Sequence, residues 1–240
     1  MWRVNEELAL CWRAFIDLMF PRRCLVCGRY LETFEKYLCI GCNAEMPLTY
    51  FWSWRDNPAE KLLCQKVGIS SATSLFFYQD CNNYSLLTQK VKYSGWLSFG
   101  RILGKKLAEK MLESKRFAGI ELIVPVPLHR SRYWSRGYNQ SEIIAGGAAS
   151  VLGIQVVNLL KRIRNTVSQT TLSKEDKHKN VEGAFLPISS RINEAKQQGI
   201  KHVLLIDDVL TSGSTLSACA SILIKDFEVS VATVAFVGEL

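Results

Sequence analysis

Apolar residues recur along this chain with two periods, and each period predicts an element. "ATSLFFY" (72–78) is a β-rich apolar run, whereas "SLLTQKVKYSG" (85–95) and "LSFGRILGKKLAEKMLES" (97–114) repeat their apolar positions at helical spacing. "IELIVPVP" (120–127) is again a strand, a helix follows from about Gln140 to Leu152, and "IQVVNLL" (154–160) is a short strand. Lys161 to Lys179 is polar and aperiodic. The closing elements are a strand at 203–206, a helix from about Ser214 to Lys225, and a last strand "VSVATVAFV" (229–237). Near-continuous apolar strands alternating with helices predict an α/β fold whose parallel sheet is covered by helices on both faces. In such a sheet, ligands sit beyond the carboxyl ends of the strands.

The N-terminal segment has a different character. Trp2, Leu8, Cys11, Trp12, Phe15, Leu18 and Met19 share a helical spacing. Glu6 and Glu7 stand where an export signal needs cations, and Arg13 and Asp17 interrupt the apolar run. The expectation is an amphipathic helix packed on its own protein, with peripheral membrane contact the lesser alternative. No stretch approaches the length of a membrane span, so a cytoplasmic location is expected.

Cysteine spacing adds a second unit. Cys24 and Cys27 ("CLVC") and Cys39 and Cys42 ("CIGC") are two pairs with two-residue gaps, joined by "GRYLETFEKYL". Each pair sets two thiolates on one turn, and two pairs across a hairpin complete a tetrahedron for a structural Zn²⁺. A disulfide framework needs an oxidising compartment, and a redox motif needs only one pair. The composition shifts after Pro47, which places a seam there. The domains are read as 1–55, helix plus zinc ribbon, and 56–240, the α/β domain.

Composition changes the picture only in its charge. The chain has 240 residues, 48% of them hydrophobic and 22% charged, which marks it as a folded protein. Its 30 Lys and Arg against 22 Asp and Glu leave +8, which favours anionic partners such as phosphorylated small molecules, nucleic acid or acidic lipid.

The chemistry concentrates in "VLLIDDVLTSGSTLS" (203–217). An apolar strand delivers Asp207 and Asp208 to its carboxyl end, and Thr211, Ser212, Gly213, Ser214 and Thr215 turn the chain into the next helix. The conformational freedom of glycine is needed at Gly213, where the backbone must fold tightly. Converging N–H groups and a helix N-terminus favour a phosphate, which the four hydroxyls bind without added charge. The carboxylates accept only, so vicinal hydroxyls suit them. Phosphate below and diol above describe a ribose 5-phosphate. A Walker loop would need a Lys and a second Gly, and a phosphoacceptor receiver domain would need far more chain after Asp208.

Val203 to Thr215 resembles the phosphoribosyl pyrophosphate signature of type I phosphoribosyltransferases. "KYSG", "VPVPLHRSRYWSRGYNQSE" and "QTTLSKEDKHKNVEGAF" stand in the order found in the ComF family, competence-associated proteins that join a cysteine zinc ribbon to such a domain. The resemblance runs from about Pro21 to the C-terminus. It implies a type I phosphoribosyltransferase fold that binds phosphoribosyl pyrophosphate with Mg²⁺. It also implies that His129, Arg132 and Arg136 face the departing pyrophosphate, with Lys92 and Lys90 reaching it from the hood side and Tyr138 stacking on base or sugar. Residues 161–180 would form a closing loop in which Arg164, with Thr166 and Gln169, matches the family, as do Asn180, Gly183 and Phe185. Lys177 stands where the family has Arg, so the bidentate contact expected of that Arg is lost here. Asp207, Asp208 and Arg164 would serve catalysis, transferring phosphoribosyl to a nitrogen acceptor the sequence does not identify. The alternative is a non-catalytic binder of the sugar diphosphate that handles single-stranded DNA with competence proteins during uptake and transformation. The +8 charge, the zinc ribbon and the aromatics of 50–54 support that alternative.

Overall fold

The computed structural model describes residues 19–78, 83–93, 96–164 and 183–238. The N-terminal helix expected before Met19, and the loop positions Thr166, Gln169, Lys177 and Asn180, lie outside the described residues. Contacts divide the chain into a smaller unit, Met1–Pro47 with Asp80–Leu87, and a larger one, Leu48–Gln79 with Thr88–Leu240. Residues 48–55, read from sequence as part of the first domain, group with the larger unit because Phe51 and Trp52 are core residues, 0% and 2% exposed. Phe51 packs edge-on against Phe77 and Phe236, and the Trp52 indole donates to Glu113 Oε2 at 3.1 Å. These two rings are therefore not part of an aromatic surface.

In the larger unit the elements run α2 (Pro58–Cys64), β1 (Ser71–Phe77), α3 (Ser85–Tyr93, shared with the smaller unit), α4 (Leu97–Leu112) and β2 (Leu122–Pro125). They continue with α5 (Arg130–Arg136), α6 (Gln140–Leu152), β3 (Gln155–Val156), β4 (Leu160–Arg162) and β5 (Phe185–Pro187). The chain closes with α7 (Ser189–Gln197), β6 (His202–Leu210), α8 (Ser214–Leu223) and β7 (Glu228–Phe236); α1 (Ile40–Ala44) belongs to the smaller unit. Five strands form a wholly parallel sheet in the order β1-β7-β6-β2-β3, while β4 and β5 pair antiparallel. β6 is central. Its apolar residues Val203 to Ile206 are all 0% exposed, as expected of a strand covered on both faces.

Two close approaches set the helical layer. A Cβ on Gly104 of α4 would collide with the Ile144 carbonyl oxygen, and one on Gly147 of α6 would collide with that of Arg101. Glycine here lets two helix backbones touch. α6 itself starts where Asn139 accepts from the Ser141 N–H and ends at Gly153, whose φ is 71°.

Three helices exceed the periodicity. α5, read from sequence as a cation-dense loop, is a seven-residue helix capped by His129 and ended by Gly137 at φ 80°. It buries no residue, so it carries no apolar stripe to recognise. α2 begins with Asn57 and Pro58, and Asn57 accepts from the Glu60 N–H. α7 buries only Ile192 and Ala195.

Candidate functional site

Asp207 and Asp208 sit within the second half of β6 rather than after it, because the strand runs on through Val209 and Leu210. Both are buried, 9% and 6% exposed. Asp207 Oδ1 accepts from the Ser141 hydroxyl at 2.8 Å and from the Asp208 N–H at 2.9 Å, and Asp208 Oδ1 accepts from the Val209 N–H at 2.8 Å. Ser141, in the first turn of α6, was not singled out from sequence. Its one local signal was its place beside a helix cap, where a hydroxyl is common for capping alone.

After Leu210 the chain turns through Thr211 and Ser212 to Gly213, at φ 73°, which caps α8. The Ser212 and Ser214 hydroxyls are 3.0 Å apart, and the first helical bond runs from the Ser217 N–H to the Gly213 carbonyl at 2.8 Å. The N–H groups of the first helical turn have no intrahelical acceptor and carry the positive end of the helix dipole. Thr211, Ser212, Gly213, Ser214 and Thr215 thus form one turn beyond the acid pair. From outside, Lys66 Nζ donates to the Ser212 carbonyl.

The cations expected from sequence to face this turn make contacts within and next to α5. His129 Nδ1 accepts from the Ser131 N–H, so the ring caps α5. Arg136 donates to Gln140 Oε1 at 3.0 Å. Arg132 and Asp207 both act electrostatically on Arg162. Burial, and then the like charge of Arg132, lower the Arg162 pKa while Asp207 opposes the shift. Arg162, not singled out from sequence, thus feels the charge of both the basic helix and Asp207. Arg164 lies two residues past the end of β4, with its guanidinium 4.0 Å from where a Gly183 Cβ would stand. Its carbonyl accepts from Arg162 Nε at 3.3 Å. Tyr138 donates to the Val91 carbonyl at 2.6 Å, so its hydroxyl ties the loop after α5 to α3. The side chain of Lys92, one residue on, lies outside the described residues. A cavity of about 470 Å³ adjoins this region and is lined by His129, Arg130, Tyr133, Glu142, Lys161 and Arg162 among others.

The smaller unit holds a second constellation. The Sγ atoms of Cys24, Cys27, Cys39 and Cys42 all lie within 4.8 Å of one another. Cys27 and Cys39 are 3.8 Å apart, close to the edge of a tetrahedron built on Zn–S bonds of about 2.3 Å. The Cys42 N–H donates to Cys39 Sγ at 3.3 Å and the Cys39 N–H to Cys24 Sγ at 3.4 Å. The Cys42 N–H, with help from the Arg29 guanidinium and against burial, pulls the Cys39 pKa down to about 6. Burial pushes that of Cys42 up. Four thiols so placed fit Zn²⁺. Arg29 also pairs with the buried Glu35 carboxylate at 2.6 Å, and Glu35 accepts from the Glu32 and Ile40 N–H groups at 2.9 and 2.7 Å. One carboxylate therefore gathers the loop between the pairs, the start of α1 and the arginine beside Cys39.

A parallel sheet with an acid pair and hydroxyl-rich turn at its central strand defines a class, and the phosphoribosyl transferase domain family matches residues 139–239. The chain has a type I phosphoribosyltransferase domain, a parallel sheet flanked by helices, together with a cysteine cluster consistent with a zinc ribbon. It is 29% identical over 221 residues to competence protein F of Haemophilus influenzae, covering 86% of this chain and 92% of that protein. It is 28% identical over 226 residues to the DNA utilization protein YhgH of Escherichia coli O157:H7, covering 90% and 91%. With competence protein ComFC of Streptococcus pneumoniae it shares 25% over 229 residues, covering 84% and 93%. The chain is thus homologous over most of its length to the competence protein F, ComFC and YhgH group, as the ComF resemblance implied. Among the described residues no helix is long and apolar enough to cross a membrane.

Proposed function

We propose that this protein binds phosphoribosyl pyrophosphate with Mg²⁺ at the β6–α8 edge and transfers the phosphoribosyl group to a nitrogen acceptor. The observation that carries the reading is the acid pair late in the central strand, followed after Val209 and Leu210 by a Gly213-capped hydroxyl turn. The 5-phosphate takes the turn, and Asp207 and Asp208 take the ribose hydroxyls. Displacement of pyrophosphate at C1 builds positive charge on the sugar, which two buried carboxylates favour. Arg162, Arg132, Arg136 and His129 form the cationic side toward which the leaving diphosphate is drawn. Arg164, two residues past β4, is assigned to catalysis beside the acid pair on the family resemblance. Carboxylate and phosphate oxygens are the hard donors Mg²⁺ prefers, and when bound it neutralises charge developing on the diphosphate. Calorimetric titration with this ligand and Mg²⁺ tests the reading. Asp207→Asn with Asp208→Asn is expected to weaken binding at least about 100-fold, two lost charge-assisted interactions at about 1.5–3 kcal/mol each; unchanged affinity rejects it.

A second reading is favoured by a specific surface. α5 exposes Trp134 (85%) and Tyr133 (47%) between Arg130, Arg132 and Arg136. Aromatic faces among cations suit single-stranded DNA, and relatives are named as competence and DNA utilization proteins. In this reading the protein handles DNA, together with competence proteins, in the cytoplasm, and the sugar diphosphate is a regulatory ligand. Fluorescence anisotropy with an oligonucleotide checks it: affinity falls steeply with salt, and Trp134→Ala weakens it about tenfold, near 1–3 kcal/mol per stacked base. Salt-independent binding, or no effect at Trp134, counts against it.

A further inference from the structure

The turn at 211–215 has no cation of its own, yet the fold brings one to it from 146 positions away. Lys66, two residues past α2, donates its ammonium to the Ser212 carbonyl. Ion pairs among the described residues join other partners, and Lys66 has no carboxylate beside it there. Partial burial lowers its pKa, as for an ammonium whose partner is a carbonyl and not a carboxylate. The same segment supports the turn sterically, since a Cβ at Gly213 would stand 3.1 Å from a methyl of Leu63.

We infer that Lys66 is a positioning residue for the phosphate subsite, orienting the 212–213 peptide and supplying the missing positive charge from behind the turn. In a planar trans peptide the C=O and the following N–H point in opposite directions. Holding the Ser212 oxygen toward Lys66 therefore aims the Gly213 N–H away from it. The ammonium charge reaches the ligand through the polarised peptide, so an uncompensated cation becomes a favourable one when a phosphate dianion occupies the turn. A Walker loop carries such a lysine within its own sequence; here a helix-end lysine from the far end of the domain takes a comparable electrostatic part without touching the ligand.

The inference rests on residues 211–215 being a phosphate loop, and the experiment separates the two. Ribose 5-phosphate is titrated calorimetrically into the full-length wild type, Lys66→Met and Lys66→Arg, each checked for a cooperative melt. Wild type binds, Lys66→Met binds about tenfold more weakly, and Lys66→Arg, which keeps donor and charge, stays within about threefold of wild type. Should Lys66→Met fail to fold, Lys66→Gln gives the uncharged comparison and is also expected to weaken binding. Wild-type affinity in the uncharged variant overturns the role of Lys66 and leaves the phosphate loop standing, as does equal loss in Lys66→Arg. A wild type that binds no ribose 5-phosphate overturns both.

Discussion

A single backbone angle decides whether the turn after the central strand can exist. At Gly213, φ is 73° and the space on the Cβ side is taken by Leu63 and Leu210. Gly213→Ala should therefore cost about 1–2 kcal/mol of stability from the left-handed backbone alone, measured by urea titration. It should also weaken ribose 5-phosphate binding. This residue was legible because a glycine set among hydroxyls just past an apolar strand leaves the backbone little to do but turn. The acids were equally legible, since two adjacent carboxylates ending an apolar run have no packing reason. Ser141 and Arg162 were not. Each is an ordinary residue until the fold sets Ser141 against Asp207 and brings Arg162 within reach of its charge, and no spacing rule connects position 141 or 162 to position 207.

At the level of elements, the contact between α4 and α6 gives a paired prediction. Gly104→Ala forces a methyl into the Ile144 carbonyl and should destabilise by about 3 kcal/mol, at the upper end for overpacking. Gly146→Ala, on the same helix as Gly147 but facing open space, should instead stabilise by up to about 1 kcal/mol through helix propensity. Thermal or urea unfolding of both variants distinguishes them. His202, at the start of β6, gives a pH dependence. It is buried, its Nε2 lies 2.9 Å from the Ser230 hydroxyl, and burial lowers its pKa from 6.5. The unfolded chain then binds the extra proton more readily than the folded one. Stability from this site is intact above pH 6.5 and is lost as pH falls below it toward the lower folded value. The melting temperature of wild type should drop between about pH 7 and about pH 5.5 by more than that of His202→Gln. β1, β2, β6, β7 and the helices α3, α4, α6 and α8 were readable from their periodicity. The run 154–160, read as one strand, divides between β3 and β4 of different sheets, and the three-residue β5 was too short to read. α2, α5 and α7 were not readable, because short helices with one or no buried face leave too few apolar positions to set a period.

Over the whole molecule, the two units have different sources of stability. The larger has an extensive apolar core around its sheet, whereas the buried cluster at the cysteines consists of Cys24, Cys39 and Cys42 backed by Val26, Leu31 and Leu38. So small a cluster would need a metal ion on its four thiols to fold, as the cysteine geometry allows. Chelation should therefore abolish amide protection around 24–44 while protection in β6 and β7 persists, as read by hydrogen exchange with mass spectrometry. Loss of protection in both units at once would contradict this. Glu35→Gln should lower zinc affinity about 10–100-fold in a chelator competition, because the Arg29–Glu35 pair loses its charge. By itself the sequence determined the alternation of strands and helices, the two cysteine pairs, and the strand–acid–turn motif. Each of these is written in neighbouring residues, where periodicity and local chain geometry act directly. Only the tertiary structure decided the strand order, the close contact of α4 with α6, and the gathering of Lys66, Ser141 and Arg162 at one edge. Those depend on which distant segments pack together, a choice made by burial over the whole domain and left unmarked in any short stretch.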